Sequence, residues 1–556
     1  MARVTVYLFE TKSIQSYLSR TGKLKDMVII SDMLVDLIDT GEYSWVRKVL
    51  DKCKIANNLS YIDDNTTYDF NDLAHRGICF FRCKGGSFYC MSYDQNLVLS
   101  FRSAWTLLFQ QAFPGMDFTD SCTQVDDQKF VSELDNAFSA LASSFNAPSI
   151  SLPYATPVCQ STSITGKVAV FNGSQSRNFD LAQSRFGGDD ENSVSSLSNE
   201  ILYKKFLGID NVTKYRIAFN QYLRGNDNDI ALVHLDGNGI GQKLLKLRKD
   251  SRNCTMKEYV EKMTSFSQQL GKATKAAVNT ALNTIIEKST GGETLIFRPL
   301  ILGGDDITLL IEPRYAFDFC VEVSNNFQIN SSKFLKNKKY SGGYLTMSGA
   351  VLFNKINHPY NNSSVIVESL AEMAKKLTKK HLNGTEKKAG PAAIAFFRMS
   401  ATSQENISEV IRRSREYSVF DHKINHNVIF NSGPACYYVK SADSLPPNSE
   451  PTLLCTLLNF VYKLSDSFCS RLHGRLRRIM TAISHGDLQE ARDIYKRMLD
   501  IIDDKEKEVL NNIFPHECFY KDVSTSELKK YECVIDDILV LIHYIRSKKN
   551  KGDQNL

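Results

Sequence analysis

The stretch Leu295-Ile-Phe-Arg-Pro-Leu-Ile-Leu-Gly-Gly-Asp-Asp-Ile-Thr-Leu-Leu-Ile311 places two acidic residues between two strongly apolar segments. Its glycines, Gly303 and Gly304, allow a tight turn between two short β-strands and let a ligand come close to the backbone. Burying Asp305 and Asp306 as charges without a counter-ion would be costly. A hard divalent cation, held by carboxylates together with phosphate oxygens, would neutralise them. The stretch therefore predicts a β-hairpin that carries a Mg²⁺ or Mn²⁺ site.

A third carboxylate follows an apolar segment earlier in the chain. Ile230–Leu235 is typical of a β-strand, it ends at Asp236, and the residues after it alternate glycine with other types up to Gly241. If this strand lies beside the hairpin, Asp236 converges with Asp305 and Asp306 at one edge of a sheet. Three carboxylates can hold two divalent ions, which activate an attacking hydroxyl and neutralise a leaving pyrophosphate. We therefore predict these three residues as catalytic residues and metal ligands.

Candidate phosphate-binding groups surround these carboxylates. The turn after Asp236 offers the Gly237 carbonyl and free N–H groups, with Asn238 beside them. Lys375 and Lys376, on a predicted helix over 363–381, are spaced to reach a triphosphate as point charges. Each feature also has a simpler interpretation, because an Asp-Gly pair is commonly a turn and two helical lysines are usually solvated.

The pattern of a strand, helices and a Gly-Gly hairpin occurs twice. Near the N-terminus, a predicted strand over Val4–Phe9 precedes a hairpin with Lys84-Gly-Gly-Ser87 where the later copy has Gly-Gly-Asp-Asp. We interpret this as an internal duplication whose first copy lacks the acids, with a coincidence of two hairpins as the alternative. A further Gly187-Gly-Asp-Asp190 has no apolar flanks and is predicted to be a solvated loop.

Length and composition indicate a soluble globular protein of several domains. The 556 residues are too many for one core, and the hydrophobic fraction of 42% is ordinary. A net charge of +6 is only mildly basic, so RNA would need a local patch, for which the Arg471–Arg478 segment is the candidate and a solvated helix the alternative. No apolar run is long enough to cross a membrane, so no membrane partner is expected. Thirteen cysteines without paired C-x-x-C spacing favour free thiols in the cytoplasm.

The order of strands and helices predicts an α+β fold. We expect two ferredoxin-like domains followed by an all-helical C-terminal domain. The predicted boundaries are 1–150 for the first domain, 151–224 for a polar connecting region, 225–445 for the second domain and 446–556 for the helical bundle. The bundle would follow a linker at Pro446–Pro451.

The motifs resemble those of a known family, the large polymerase-palm subunit of type III CRISPR effector complexes, which is related to nucleotidyl cyclases. The resemblance is carried mainly by Leu235-Asp-Gly-Asn-Gly-Ile-Gly241, Leu302-Gly-Gly-Asp-Asp-Ile307 and Glu372-Met-Ala-Lys375. It implies two palm domains, a degenerate first one and a second one that polymerises ATP into cyclic oligoadenylates during antiviral defence. It also implies that Gly237, Gly303 and Gly304 lie against phosphate and that Lys375 meets the triphosphate.

The chain also departs from that family. It shows no N-terminal His-Asp nuclease signature and lacks the zinc-type cysteine pairs of many relatives, so we expect a standalone relative. The expected substrate is ATP or another NTP, and the expected partners are RNA, other defence-complex proteins or a second copy of the chain. The leading hypothesis is a nucleotidyltransferase that makes a cyclic or linear oligonucleotide. The alternatives are a nucleotide- or RNA-binding scaffold without turnover, and a diguanylate cyclase. The latter is disfavoured because the motif ends in Asp306 followed by Ile307, not in Glu-Phe.

Overall fold

The computed structural model describes most of the chain outside the central connecting region. The described residues are 2–14, 17, 34, 37–41, 44–64, 68–113, 115–145, 170–171, 178–179, 215–216, 229–288, 295–337, 343–356, 358–379, 390–399, 407–440, 453–514, 518–525 and 528–546. The predicted linker Pro446–Pro451 and the Gly187–Asp190 segment lie outside these residues, as does most of the predicted connecting region.

A first unit, Arg3–Phe145, is built around the N-terminal strand. Its elements are β1 (Arg3–Thr11), α1 (Trp45–Lys52), β2 (Ala56–Asn57), α2 (Leu59–Asp64), α3 (Phe70–Arg76), β3 (Gly77–Lys84), β4 (Ser87–Ser92), α4 (Gln95–Ala112), β5 (Phe118–Asp126) and α5 (Phe130–Phe145). The strand order is β2-β3-β4-β1-β5, and β1 is antiparallel to both β4 and β5. Aromatic side chains of α4 cover one face of the sheet, where Trp105 and Phe109 make edge contacts with Phe9 of β1.

A second unit, Asp229–Arg398, contains the Gly-Gly-Asp-Asp hairpin. The elements from the connecting region to the end of its sheet are β6 (Val170–Phe171), β7 (Asn178–Phe179), β8 (Tyr215–Arg216), β9 (Asp229–Gly237), α6 (Ile240–Asp250), α7 (Met256–Lys288), β10 (Leu295–Gly303), β11 (Asp306–Ile311), α8 (Ala316–Asn337), β12 (Met347–Lys355), α9 (Tyr360–Lys379), β13 (Ala393–Arg398), α10 (Ile407–Arg415), β14 (Glu416–Asp421), β15 (His426–Asn431) and β16 (Cys436–Tyr438). The strand order of its seven-stranded sheet is β16-β13-β12-β9-β11-β10-β8. The strand β9 is central and antiparallel to β11 and β12, and its apolar stretch from Ile230 to Val233 is buried.

The two units share one topology. The strands β10-β11-β9-β12 repeat the arrangement of β3-β4-β1-β5, and in each unit a helix (α8 or α4) connects the hairpin to the last of these strands. A central strand between a hairpin strand and a returning strand is the arrangement of a ferredoxin-like unit. The strand registers also correspond. Glu10 of β1 lies opposite Ser87. Asp236 of β9, one position beyond the pair of Leu235 with Ile307, lies at the equivalent position of the second unit. The predicted α+β class, the two ferredoxin-like units and the loss of acids from the first are confirmed.

The long helix α7 packs against both units. Near its N-terminus, Tyr259 and Met263 belong to the apolar core of the first unit. Towards its C-terminus, Ala277 and Leu282 belong to the core of the second unit. The helix therefore lies in two cores at once, and the stretch between them passes the hairpins of both units.

The C-terminal region is predominantly helical, as predicted. Its elements are α11 (Leu454–Lys463), α12 (Asp466–Ser484), α13 (Leu488–Ile501), α14 (Asp504–Asn511), β17 (Lys521–Asp522), β18 (Lys530–Glu532) and α15 (Ile535–Arg546). The structure adds two short strands, because β17 and β18 extend the β14–β15 hairpin into a four-stranded sheet. The apolar core of the second unit continues into these helices. Within the described residues, no helix combines the length and apolarity needed to cross a lipid bilayer, and the described cysteines are free thiols.

A buried ion pair attaches α15 to the end of α10. The Arg415 side chain is 5% exposed and the Asp537 side chain is 0% exposed, and Arg415 donates to the Asp537 carboxylate. The same carboxylate accepts from the Tyr437 hydroxyl and from the Ala435 N–H at 3.1 Å. A buried charge pair is tolerated only when its remaining polar atoms are also bonded, and here the backbone and a tyrosine supply those bonds.

Replacing Asp537 with Asn should lower the free energy of unfolding by about 3–5 kcal/mol, because the Arg415 charge stays buried without its counter-charge. Urea denaturation of the full chain, followed by far-ultraviolet circular dichroism, measures the change. The matched control is Asp504→Asn, since the Asp504 side chain is fully exposed and its replacement should cost less than about 0.5 kcal/mol. Equal stability of Asp537→Asn and the unaltered protein would contradict the prediction.

Candidate active site

The Gly-Gly-Asp-Asp stretch forms the predicted hairpin. Gly303 pairs with Asp306, so Gly304 and Asp305 are the two central residues of the turn. Gly304 has a φ of +62°, in the left-handed region that favours glycine. A Cβ atom added at Gly303 or Gly304 would meet no atom within 4 Å. The space beside both glycines is therefore open to a ligand, as their predicted role requires.

The structure brings the three predicted carboxylates together. Asp236 stands at the end of β9, opposite Ser348 of β12 and one position beyond the pairing of Leu235 with Ile307. Asp306 is the first residue of β11 and is therefore the cross-strand neighbour of Asp236. Asp305 packs over Gly237, because a Cβ atom there would lie 2.9 Å from Asp305 Oδ2. Gly237 thus leaves the room in which the Asp305 side chain lies.

Negative charge accumulates at this point of the sheet. Burial raises the pKa of Asp305, and the charges of Asp236 and Asp306 raise it further. Burial also raises the pKa of Asp306, with the charge of Asp236 as the next cause and the Lys375 ammonium acting in the opposite direction. One Asp306 oxygen, Oδ1, lies 3.4 Å from His234 Nδ1 yet accepts no hydrogen bond. Lys375 and Arg82 therefore compensate the charges of Asp305 and Asp306 only in part.

The two predicted lysines differ in their surroundings. Lys375 lies on α9 and its Nζ donates to Asp236 Oδ2, forming an ion pair that is about one quarter to one third exposed. Lys376 is exposed and lines neither of the two cavities next to the carboxylates. The structure thus places only Lys375 against the acidic residues.

Asn238 holds the turn that follows Asp236. Its buried amide donates to Thr346 Oγ1 at 2.9 Å and to Ser348 Oγ at 2.8 Å. Its backbone N–H donates to the Thr346 carbonyl at 2.8 Å. These bonds fix the end of β9 against β12, and a direct contact of Asn238 with a ligand stays a prediction.

A cavity of about 440 Å³ lies between the hairpins of the two units. One wall consists of Gly303 to Asp306, and the facing wall contains Arg82 and Lys84 of β3 with the Gly85–Gly86 turn. The Arg82 guanidinium lowers the pKa of Asp305, against the dominant effect of burial, so its charge is felt across the cavity. Sequence reasoning missed this wall. The repeated Gly-Gly hairpin, with cations before its turn, was the signal that could have revealed it.

Apolar side chains of α6 and α7 also line this cavity. Ile240 and Leu244 come from α6, and Phe266 and Leu270 come from α7. The helix α6 begins after Gly239, which has a φ of +70° and no side chain to cap the first N–H groups. Uncapped N–H groups at a helix N-terminus are available to an anion. The cavity therefore combines an apolar slot with charged and N–H-bearing walls.

A second cavity of about 430 Å³ lies on the α9 side of the carboxylates. Its lining includes His234, Glu368, Glu372 and Lys375. Sequence reasoning missed His234 and Glu368. His234 stands two residues before Asp236 and so lies on the same face of the strand. Glu368 stands seven residues before Lys375 and so lies on the same face of the helix. These spacings could have identified both residues from the sequence.

The donor set fits a hard divalent cation in its chemistry. The carboxyl groups of Asp305 and Asp306 have raised pKa values, and Asp306 Oδ1 accepts no hydrogen bond. Mg²⁺ or Mn²⁺ would supply the positive charge and the bonding partner that these groups lack. In the described part of the chain, no group of three or more His, Cys, Asp or Glu side chains is already arranged to hold a metal ion. The Asp236 carboxylate is engaged by Lys375 in this arrangement.

Replacing Gly237 with Ala should lower the free energy of unfolding by about 1–3 kcal/mol through overpacking. The new methyl group would lie 2.9 Å from Asp305 Cβ and 2.7 Å from Ile240 Cγ1. Thermal unfolding measures the cost, and Gly303→Ala is the control, because its methyl group would enter open space. Equal melting temperatures for the two variants would show that Asp305 does not rest on Gly237.

Known structures of Csm1–Csm4 cassettes resemble the chain at low identity. The cassette in complex with pppApA is 13% identical over 68% of this chain and 53% of the matched chain, with a TM-score of 0.39. The cassette in complex with cA4 is 12% identical over 74% of this chain and 58% of the matched chain, with a TM-score of 0.40. The chain thus spans little more than half the length of the chains that it matches. A comparison with curated proteins gives no match.

The family comparison concerns the second unit alone. Residues 229–383 match the model described as Cas10/Cmr2, second palm domain. This segment contains β9, the Gly-Gly-Asp-Asp hairpin and α9, and so it contains every predicted site residue. The resemblance inferred from the motifs is confirmed for residues 229–383, which are similar to the second palm domain of the Cas10/Cmr2 family.

Proposed function

We propose that this chain is a nucleotidyltransferase, dependent on Mg²⁺ or Mn²⁺, that joins ATP or another NTP into a cyclic or linear oligonucleotide. The observation that carries the proposal is that Asp305 and Asp306, with Asp236 beside them on β9, line a cavity whose facing wall holds Arg82 and Lys84. Acidic residues suit metal ions and cationic residues suit phosphates, so the two walls together suit a metal–polyphosphate complex. The family of the second palm supports the same reaction class.

The carboxylates and the glycines would act on the phosphates. Asp236, Asp305 and Asp306 would hold the divalent cations, which supply charge neutralisation of the pyrophosphate and a lowered pKa for the attacking hydroxyl. Gly303 and Gly304 leave open space beside the turn, so a phosphate can approach the backbone there. Since such reactions need little covalent participation by the protein, positioning and charge are what these residues contribute.

The remaining cavity residues would orient the nucleotide. Lys84 and Arg82 lie on the wall facing the acids and would pair with phosphate oxygens. The uncapped N-terminus of α6 offers further N–H donors to phosphate. Phe266 and Leu270 provide apolar surface for a base and exclude water. A volume of about 440 Å³ lies within the range of about 300–1,000 Å³ that is usual for small-molecule sites.

The family context extends the proposal to antiviral defence. The product would serve as a signal, and RNA, other proteins of a defence complex or a second copy of the chain would act as partners. A binding module that holds nucleotide without turnover is the second candidate. The observation that favours it is the engagement of Asp236 by Lys375, which leaves no metal-ready cluster among the described residues.

The reaction itself can be tested directly. Purified protein incubated with each NTP and Mg²⁺ or Mn²⁺, with and without RNA, should yield an oligonucleotide that mass spectrometry identifies. The double variant Asp305→Ala/Asp306→Ala should lose at least about 100-fold in rate, equivalent to about 2.7 kcal/mol of transition-state stabilisation.

The first-unit counterpart of Asp236 provides the matched control. Glu10 occupies the corresponding position of β1, bonds to the Tyr89 hydroxyl and does not line the cavity. Glu10→Gln should therefore retain activity. No product from the unaltered protein under any condition would favour the binding module, and a product that survives the double substitution would refute the assignment of the site.

Replacing Lys375 with Met should tighten Mn²⁺ binding to the nucleotide-free protein by about tenfold. The Lys375 ammonium competes with a metal ion for Asp236, and a unit charge about 4 Å away is worth about 1–4 kcal/mol in high to intermediate dielectric. Isothermal titration with Mn²⁺ alone measures the affinity. Lys376→Met is the control, because that lysine is exposed and lines neither cavity. Unchanged affinity in Lys375→Met would show that the ion pair does not oppose metal binding.

A further inference from the structure

We propose that Thr274 of α7 is a positioning residue that fixes the peptide group between Gly304 and Asp305. The Thr274 side chain is 3% exposed. Its hydroxyl donates to the Gly304 carbonyl at 2.6 Å and also lies 3.1 Å from the Leu270 carbonyl of its own helix. A hydroxyl has one proton to donate, and the shorter contact is the one to the turn. The bond therefore connects the helix directly to the backbone that carries Asp305.

The Gly304 carbonyl is the group whose direction decides the type of turn. Two-residue hairpins adopt type I′, with positive φ at both central residues, or type II′, with positive φ at the first only. The two types differ by rotation of the central peptide group. In the first unit Gly85 and Gly86 have φ values of +63° and +76°, whereas in the second unit Gly304 is positive and Asp305 is not. Holding the Gly304 carbonyl against Thr274 thus keeps Asp305 in the conformation that directs it over Gly237.

The helix is a firm support for this bond. On the N-terminal side of Thr274, Tyr259 and Met263 are buried in the core of the first unit, and on the C-terminal side Ala277 and Leu282 are buried in the core of the second. Thr274 lies between these two anchored segments. The turn itself has open space beside Gly304, so side-chain packing at that residue does not restrain it. The hydrogen bond from α7 therefore restrains the carbonyl where side-chain packing at Gly304 does not.

Displacement of one carboxylate would affect the rate more than the binding of nucleotide. Catalysis depends on ångström-level placement of the reacting groups, and a misplacement of about 1 Å can cost about 100-fold. The cationic wall and the apolar slot of the cavity do not include Thr274 and would still bind a nucleotide. Loss of the Thr274 hydroxyl should therefore lower kcat and leave KM nearly unchanged. This part of the inference rests on the proposed function.

The test compares Thr274→Val, which removes the donor and keeps the shape, with Thr274→Ser, which restores the donor. Thr280→Val is the matched control, because Thr280 lies on the same helix and its hydroxyl bonds to Ala276 within that helix. Amide hydrogen exchange of a peptide spanning residues 303–306 should accelerate at least about fivefold in Thr274→Val, since local opening becomes easier. In the same variant kcat should fall about 10- to 100-fold, with KM changed less than about threefold. Thr274→Ser and Thr280→Val should match the unaltered protein in both measurements.

The outcomes separate this inference from the proposed function. Faster exchange in Thr274→Val without product from any form of the protein would support the positioning role and refute the proposed activity. Unchanged exchange and unchanged kcat in Thr274→Val would overturn the inference, and so would equal changes in Thr280→Val or failure of Thr274→Ser to restore them. If Thr274→Val does not fold, Thr274→Ala removes the same donor without a buried methyl group in the place of the hydroxyl, and the same criteria apply.

Discussion

The crowding of carboxylates at the end of β9 is the constraint on which the arrangement of this protein depends. Asp236, Asp305 and Asp306 meet at one edge of the sheet, and burial makes the charges of Asp305 and Asp306 costly. The surrounding structure offsets this cost only in part, through Lys375 on one side and Arg82 on the other. A site that holds more negative charge than its own fold neutralises is one that gains stability when a cation arrives. The cation of the proposed function would therefore stabilise this part of the sheet.

The duplication explains how the opposing charges came to face each other. Both units place a Gly-Gly hairpin beside a central strand, and α7 passes both hairpins, so the two turns approach one another across the cavity. The second unit keeps acids at its turn, whereas the first has cations before its turn and none of the acids. Two identical acidic turns would have repelled each other across so short a gap. The positive charge of the first copy removes that repulsion and gives the surface that the proposed function assigns to phosphate.

The sequence predicted those parts of the site that depend on local order along the chain. An apolar strand that ends in Asp236 and an apolar hairpin that turns at Gly304 were recognisable because both patterns are short and regular. Their adjacency followed from the fold class. The partner of Asn238 was not predictable, because Thr346 and Ser348 are more than one hundred residues away and become neighbours only when β12 pairs with β9. The strands β17 and β18 were not predicted for the same reason, because they form only as extensions of the distant β14–β15 hairpin.

The bond of Thr274 to the hairpin turn could not be predicted from the sequence. Threonine within a helix usually bonds to the carbonyl four residues earlier, and Thr280 and Thr284 of α7 do so. Thr274 also lies within bonding distance of the carbonyl four residues earlier, that of Leu270, so the sequence does not indicate its second partner. Its difference arises because the helix crosses the tip of the hairpin at this turn, which brings the Gly304 carbonyl within 2.6 Å of the hydroxyl. The position of Asp305 would then depend on a helix that both units hold in place. The first unit would thus contribute to the geometry of the second even though it carries none of its acids.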